Sequence, residues 1–197
     1  PERAGALMVS GLQLDSRKVG PGDVFAALPG VRTDGRNFIA DAEDKGAVAI
    51  LAPKGTQTIA PLIGADDPRE VLAAMAAKFF PRQPETIAAV TGTNGKSSTV
   101  EFLRQIWAAD GRDAAALGTL GVTRSHGAVS VGYTTPDAIA LHEALDRLAG
   151  EGVTHLAMEA SSHGLKQRRM DGARVSLVGF TNLTQDHLDY HPDFDDY

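Results

Sequence analysis

One short string limits the possible folds of this chain more than any other feature. The string TGTNGKSS, residues 91–98, follows the apolar stretch Thr86–Val90 and leads into the amphipathic stretch Ser97–Ala109. Its glycines allow a tight turn whose backbone N–H groups can face phosphate oxygens. A helix that begins there adds the positive end of its dipole. A strand, this string and a helix in that order predict a phosphate loop.

The side chains of the string have distinct expected roles. Lys96 reaches the β- and γ-phosphates of a nucleotide, and the Ser97 hydroxyl ligates Mg²⁺. The residues assigned to ATP binding are Gly92, Thr93, Asn94, Gly95, Lys96, Ser97 and Ser98. The string departs from the general phosphate-loop pattern at Val90, where glycine is usual. The alternative interpretation is a glycine-rich turn with an exposed lysine.

Strand and helix patterns alternate after residue 85. Apolar strands are predicted at Thr86–Val90, Ala114–Gly118, Val153–Met158 and Val175–Phe180. The helix predicted at Asp137–Leu148 has Leu141, Leu145 and Leu148 as its buried stripe, and the helix at Ser97–Ala109 has Phe102, Leu103, Ile106 and Trp107. This alternation predicts an α/β fold with a parallel sheet covered by helices on both faces.

The first part of the chain is predicted to be a separate, small mixed α/β domain. Pro81 and Pro84 disfavour helix and indicate a linker near Phe80–Glu85, which divides the chain into residues 1–84 and 85–197. A helix at Asn37–Gly46 leads into a strand at Ala47–Leu51. A second helix begins at Asp67-Pro68, with a predicted apolar stripe of Val71, Ala74, Met75 and Phe79.

Composition excludes several classes of protein. A formal net charge of −6 disfavours general binding to nucleic acid or to anionic membranes. The absence of cysteine excludes disulfides and thiolate metal sites. No apolar run approaches the roughly 20 residues that cross a bilayer, and no signal peptide opens the chain. We expect a cytoplasmic monomer.

Several strings resemble the Mur ligase family. The string TGTNGKS is similar to the ATP loop of this family, which folylpolyglutamate synthetases share. The strings LDSR at residues 14–17 and GDVF at 22–25 resemble the uridine-binding N-terminal domain of its MurE and MurF branches. The strings MEASSHGL at 158–165 and TNLTQDHLDYH at 181–191 resemble the MurE branch.

The resemblance implies an ATP-dependent amide ligase of peptidoglycan biosynthesis. Such a ligase joins meso-diaminopimelate or L-lysine to UDP-N-acetylmuramoyl-L-alanyl-D-glutamate. ATP phosphorylates the acceptor carboxylate, and the acyl phosphate then reacts with the incoming amine. The implied cofactor is Mg²⁺, and the implied partners are ATP, the UDP-muramoyl dipeptide and, in the full-length protein, a diamino acid. Positioned cations and backbone donors would offset the negative charge of the reacting groups.

The same resemblance implies roles for individual residues. The implied catalytic residues are Lys96, Glu159 and His187, and the implied Mg²⁺ ligands are Ser97, Glu159 and His187. The implied substrate-binding residues are Leu14, Ser16, Thr134, Thr135, Ser161, Gln167 and Arg169. A guanidinium such as that of Arg169 suits a phosphate or a carboxylate. Apart from the resemblance, the position of Asn182 at the end of a predicted strand would let it orient a water or a phosphate, and the alternative is an Asx turn.

The resemblance also implies that the family pattern continues past Tyr197. A carbamate-modified lysine would follow that residue, and a C-terminal domain would select the third amino acid. We therefore expect a truncated central domain, a natural protein that is longer than this chain, and no turnover by the chain itself. The alternatives are a fragment that binds ligand without chemistry, a MurF-like ligase, a folylpolyglutamate synthetase, and an unrelated phosphate-loop kinase or GTPase.

Overall fold

The computed structural model describes residues 7–30, 33–124, 127–129, 136–186 and 190–197. It divides into two compact units, Pro1–Met75 and Ala76–Tyr197. This division lies inside a helix and precedes the proline-rich linker at which the sequence predicts a domain boundary. The boundary at residue 84 therefore stays a prediction.

The first unit contains a four-stranded parallel sheet in the order β1-β2-β3-β4. Its strands are β1 (Gly11–Gln13), β2 (Asp23–Ala26), β3 (Ala49–Pro53) and β4 (Leu62–Ala65). All four residues of β2 are buried, which is typical of a parallel strand covered on both faces. Phe25 and Ile50 pack in one apolar cluster with Ile39 and Ala42 of the helix between β2 and β3.

Three helical segments join these strands. The 3₁₀ segments are Ser16–Lys18 and Gly35–Phe38, and α1 is Ile39–Asp44. The helix predicted at 37–46 is therefore a 3₁₀ turn followed by a short α-helix. Asp34 explains its start, because its carboxylate accepts the N–H of Arg36 at 2.9 Å. The predicted strand at 47–51 is confirmed with a shift of its bounds to those of β3.

Helix α2 (Pro68–Phe79) begins at the predicted proline. The predicted stripe is wrong, however, because Ala74 and Phe79 are exposed. The buried residues are Leu72, Ala73 and Ala76. Both sets have helical spacing, and so periodicity alone does not choose between two apolar faces of an alanine-rich helix.

The second unit contains a six-stranded sheet in the order β10-β5-β9-β6-β7-β8. Four strands are parallel, namely β5 (Thr86–Thr91), β6 (Ala114–Gly118), β9 (His155–Glu159) and β10 (Leu177–Phe180). The strands β7 (Gly121–Arg124) and β8 (Gly127–Val129) add an antiparallel edge that the sequence analysis did not predict. The helices are α3 (Lys96–Ala109), α4 (Ala138–Gly150) and α5 (Ser162–Lys166).

Helices cover this sheet on opposite faces. On one face, Val100, Leu103 and Trp107 of α3 pack with Val90 and Ala157. The other face carries α4, whose predicted stripe is buried as expected: Leu141, Leu145 and Leu148.

The predicted burial of Phe102 and Ile106 in α3 is wrong, because each is 63% exposed. They lie one residue before Leu103 and Trp107, which places them about 100° around the helix from the sheet. The face that packs on the sheet is narrower than the apolar set in the sequence.

Candidate nucleotide and substrate site

Three segments meet at the carboxyl edge of the parallel sheet in the second unit. In register, Val90 pairs with Glu159 on one side, and Thr91 pairs with Phe180 on the other. The loop after β5, the segment after β9 and the segment after β10 therefore leave the sheet side by side. The carboxyl edge is where open α/β sheets bind ligands.

Two glycines give the loop after β5 its shape. Gly92 has φ 124° and Gly95 has φ 87°, both in the region that favours glycine. A Cβ on Gly92 would collide with the Thr181 hydroxyl and lie 2.8 Å from the carbonyl oxygen of Asn182. Gly95 is the N-cap of α3. Position 92 thus requires glycine both for its backbone angle and for its close approach to residues 181–182.

The middle of the loop is hydrogen bonded to the segment after β10. The N–H of Thr93 donates to the carbonyl oxygen of Asn182 at 2.9 Å. The Asn94 N–H donates to Asn182 Oδ1 at 3.1 Å, and Asn182 Nδ2 donates to the Asn94 carbonyl oxygen at 2.9 Å. The Thr93 hydroxyl accepts the N–H of Thr184 at 2.9 Å and lies 2.8 Å from the hydroxyl of Tyr197. Two N–H groups of the loop are therefore directed at protein atoms.

This arrangement reduces the number of backbone N–H groups that the loop can offer to a phosphate. ATP binding by Thr93 and Asn94 stays a prediction, and their N–H groups already have acceptors. The N–H groups of Lys96, Ser97 and Ser98 lie in the first turn of α3, where no carbonyl of the same helix can accept them. We therefore expect these N–H groups to be the main backbone donors to phosphate.

Lys96 lies over the loop that precedes it. Its Nζ donates to the carbonyl oxygens of Gly92 at 2.7 Å and Thr93 at 2.9 Å. It also lines a cavity of about 370 Å³ together with Ser161, Lys166 and Tyr197. Its position in this cavity is compatible with the predicted contact to nucleotide phosphates.

Glu159 is a buried carboxylate at the end of β9, with 4% of the residue exposed. Its Oε1 accepts the N–H of Thr119 at 2.9 Å, and it packs so close to Gly118 that a Cβ there would not fit. The carboxylate of Glu159 and the hydroxyl of Ser97 are oxygen donors of the kind that Mg²⁺ prefers.

The Mg²⁺ assignment itself stays a prediction. Within the described ranges, no group of three or more His, Asp or Glu side chains is placed to hold a metal ion. The third predicted ligand, His187, lies outside the described residues.

The segment after β9 contains three predicted substrate residues, of which Gln167 and Arg169 are in contact. Ser161 caps α5 by accepting the N–H of Gly164 at 3.1 Å. Gln167 Oε1 accepts Nε and Nη2 of Arg169, at 3.1 and 2.7 Å. The amide of Gln167 in turn donates to the hydroxyl of Tyr190 at 3.1 Å. The predicted Thr134 and Thr135 lie outside the described residues.

Sequence reasoning missed the supporting residues of this region. The Tyr190 ring stacks on His163 with centroids 3.9 Å apart. His191 is buried, and its Nδ1 lies 2.6 Å from Asp196 Oδ2. Hydrogen bonds with Lys166 and, to a smaller extent, with His191 hold the pKa of Asp196 below its ordinary value. Tyr190 and His191 lie in the string TNLTQDHLDYH that resembles the MurE branch, whereas no sequence motif pointed to a role for Asp196.

In the first unit, the two residues predicted near uridine follow β1. Leu14 is half-buried and Ser16 is 6% exposed. Hydrogen bonds to Asp41 lower the pKa of its carboxyl group. The bond with the Ser16 hydroxyl has the larger effect, and the bond with Lys45 has the smaller one. Lys45 also donates to the carbonyl oxygen of Ser16 at 3.0 Å. The Ser16 side chain thus has a structural partner, and its uridine contact stays a prediction.

A strand, a glycine loop and a helix at the carboxyl edge of a parallel sheet define an α/β protein of the phosphate-loop class. The sequence pattern of the Mur ligase middle domain matches residues 90–197, and that of the Mur ligase family, catalytic domain, matches residues 8–108. The chain belongs to the Mur ligase family.

Two relatives with more than 50% identity share one name. UDP-N-acetylmuramoyl-L-alanyl-D-glutamate--2,6-diaminopimelate ligase of Bradyrhizobium diazoefficiens is 56% identical over 190 residues, which are 95% of this chain and 39% of the relative. The ligase of that name from Brucella melitensis is 52% identical over 200 residues, with coverage of 100% and 41%. The chain therefore spans about two fifths of the length of these relatives.

Solved structures agree on the fold. A structure of UDP-N-acetylmuramoyl-L-alanyl-D-glutamate--2,6-diaminopimelate ligase matches with a TM-score of 0.83 at 32% identity, over 96% of this chain and 39% of that one. MurF ligase from Thermotoga maritima in complex with ADP has a TM-score of 0.62 at 22% identity, over 97% and 42%. In the part of the chain that the structure describes, no helix has the length and apolar character to span a membrane.

Proposed function

We propose that this chain is the uridine-nucleotide-binding and ATP-binding part of a MurE-type ligase, a cytoplasmic enzyme of peptidoglycan biosynthesis. The whole enzyme would join a diamino acid to UDP-N-acetylmuramoyl-L-alanyl-D-glutamate at the expense of ATP. The names of the relatives favour meso-diaminopimelate over L-lysine as that diamino acid. The observation that carries the proposal is the juxtaposition at one sheet edge of the Gly92–Lys96 loop, Glu159 at the end of β9, and the Ser161–Lys166 segment, which lines the same cavity as Gly92 and Lys96.

The chemistry of this edge suits the activation of a carboxylate. A carboxylate is a poor electrophile, and its conversion to an acyl phosphate brings several negative charges together. The α3 N-terminus and Lys96 would hold the phosphates of ATP, and Arg169 would hold an anionic group of the muramoyl dipeptide. Because these groups are already fixed by the fold, they need little reorganisation when charge develops.

Mg²⁺ would be held at this edge by the oxygen donors of Ser97 and Glu159. When bound, the ion neutralises charge on the β- and γ-phosphates of ATP. The chain's own contribution is to keep the Glu159 carboxylate oriented, which the Thr119 N–H does, and to place Ser97 in the first turn of α3.

Binding by this chain without turnover is the second candidate. The chain covers only about two fifths of its named relatives, and the ligands proposed here bind to its own residues. A MurF-like assignment receives less support, because the relatives at about 50% identity carry the name of the diaminopimelate ligase.

Calorimetric titration tests the proposal. The chain is titrated with ATP and Mg²⁺, and separately with UDP-N-acetylmuramoyl-L-alanyl-D-glutamate. We expect saturable binding of both ligands, loss of ATP binding in Lys96→Ala, and loss of the muramoyl dipeptide in Arg169→Ala. Lys78→Ala, which removes an exposed lysine elsewhere in the second unit, is the control. A folded chain that binds neither ligand would refute the assignment.

A further inference from the structure

The phosphate loop and the segment after β10 form a continuous hydrogen-bonded unit. The β5–β10 ladder ends where the N–H of Thr181 donates to the carbonyl oxygen of Thr91 at 3.0 Å. One step further, the Thr93 N–H donates to the carbonyl oxygen of Asn182 at 2.9 Å. Between these two bonds Gly92 turns the loop with φ 124°, which a regular strand does not allow.

Asn182 extends the pairing beyond this turn with its side chain. Its Oδ1 accepts the Asn94 N–H at 3.1 Å, and its Nδ2 donates to the Asn94 carbonyl oxygen at 2.9 Å. A carboxamide has the same donor and acceptor as a peptide group, and both are used here on one residue of the loop. Asn182 therefore contacts the loop through three hydrogen bonds, which fix the peptide groups on both sides of Asn94.

We propose that Asn182 is a positioning residue of the phosphate loop, which sets the direction of the peptide groups around Asn94 so that the donors of the α3 N-terminus face phosphate. The inference rests on the proposed function for the identity of the ligand, an ATP–Mg²⁺ complex. It differs from the sequence-based expectation that Asn182 orients a water or a phosphate, since its carboxamide is bonded to the loop backbone.

This role requires a side chain with both a donor and an acceptor, which asparagine has and aspartate and alanine lack. Aspartate at position 182 keeps an acceptor for the Asn94 N–H, but it loses the donor and sets a carboxylate oxygen against the Asn94 carbonyl oxygen. Alanine loses both bonds and leaves the bond from Thr93 to the main-chain oxygen of residue 182 intact. The two variants thus separate the side chain from the backbone contact.

The first measurement is amide hydrogen exchange in the chain without ligand. In Asn182→Ala we expect the Asn94 N–H to exchange at least tenfold faster, with the Thr93 N–H much less affected because its acceptor is retained. The amides of β5 should keep their protection. Equal loss of protection at Asn94 and throughout β5 would show a general stabilising role and would overturn the proposal, as would an unchanged Asn94.

The second measurement is the affinity for ATP and Mg²⁺ by titration calorimetry. We expect at least tenfold weaker binding in Asn182→Asp and Asn182→Ala. Gln185→Glu is the matched control, because it adds the same charge as Asn182→Asp at an exposed position three residues further along. Binding of the UDP-muramoyl dipeptide should change less than twofold in all three variants.

The two measurements separate the possible failures. If the wild-type chain does not bind ATP, the proposed function fails for this chain, and the exchange of Asn94 still decides whether Asn182 orders the loop. If wild type binds ATP and both Asn182 variants bind equally well, the positioning role is refuted while the proposed function stands.

Discussion

The phosphate loop (residues 92–95) and the proposed substrate segment (Ser161–Arg169) leave the same sheet edge, yet they are held in different ways. The loop at residues 92–95 is fixed by two glycine conformations and by hydrogen bonds to its own peptide groups. The segment Ser161–Arg169 contains the short helix α5, but side chains orient its Arg169 guanidinium, through contacts from Arg169 to Gln167 and from Gln167 to Tyr190. A loop that depends on its backbone conformation tolerates few substitutions. A side chain that is oriented by other side chains can be perturbed by removing one contact at a time.

The largest expected effect is that of Gly92→Ala. The new Cβ would collide with the Thr181 hydroxyl, and alanine is strained at φ 124°. We expect at least a hundredfold loss of ATP affinity and a destabilisation of about 1–3 kcal/mol, measured by calorimetry and thermal unfolding.

Gly111→Ala is the matched control for that prediction. Gly111 has a positive φ of 79°, and among the described residues nothing lies within 4 Å of the place of its Cβ. We expect a destabilisation of about 1 kcal/mol from backbone strain alone, with ATP affinity retained. Equal ATP affinities in the two variants would contradict the claim that close approach at position 92 matters.

The second effect concerns Gln167→Ala in the substrate segment. This change removes two hydrogen bonds that the Arg169 guanidinium donates to Gln167 Oε1. Hydrogen bonds to charged groups contribute about 1.5–3 kcal/mol, and so we expect about tenfold weaker binding of the UDP-muramoyl dipeptide. ATP affinity should stay within twofold of wild type. The control is Gln185→Ala, and an equal effect on both ligands would show that the two regions are not independent.

A smaller effect is expected from Tyr190→Phe. The substitution removes the hydroxyl that accepts from Gln167 and keeps the ring that stacks on His163. A neutral hydrogen bond contributes about 0.5–1.5 kcal/mol, which corresponds to a two- to tenfold loss of dipeptide affinity. Titration of the two variants and of their combination tests the chain of contacts. Additive effects of Gln167→Ala and Tyr190→Phe would argue against it.

The smallest expected effect is a pH dependence of the free energy of unfolding, caused by His142, which contacts Asp171 two residues after Arg169. His142 is fully buried in α4, and its Nε2 donates to the carbonyl oxygen of Asp171 at 3.0 Å. Burial lowers the pKa of His142 below its ordinary value of 6.5. The unfolded chain therefore takes up a proton before the folded chain does. Stability from this residue is complete above about pH 6.5 and is lost as the pH falls toward the lowered pKa.

Urea denaturation at pH 7.5 and 5.5 checks this expectation. Wild type should lose up to about 1 kcal/mol more than His142→Gln over this interval, because glutamine does not titrate. The comparison uses the difference between the two pH values, so that any constant cost of the substitution cancels. An identical pH dependence in the two proteins would refute the role of His142.

Much of the second unit could be predicted from the sequence, because its elements have strong local signals. The loop string, the strand before it and the leucine stripe of α4 each depend on neighbours a few residues apart. The antiparallel edge β7–β8 escaped prediction because its short strands lack a clear alternation. The exposed Phe102 and Ile106 were misjudged because an apolar side chain on a helix is buried only where another surface meets it.

By itself, the sequence determined the α/β class, the phosphate loop between β5 and α3, and the resemblance to the Mur ligases, because these depend on residue order and local conformation. Only the tertiary structure decided what holds the loop. Asn182 and Thr184 are about 90 residues from their partners Asn94 and Thr93. Such contacts exist because parallel strands bring distant carboxyl ends to one edge, and no local pattern in the sequence records that pairing.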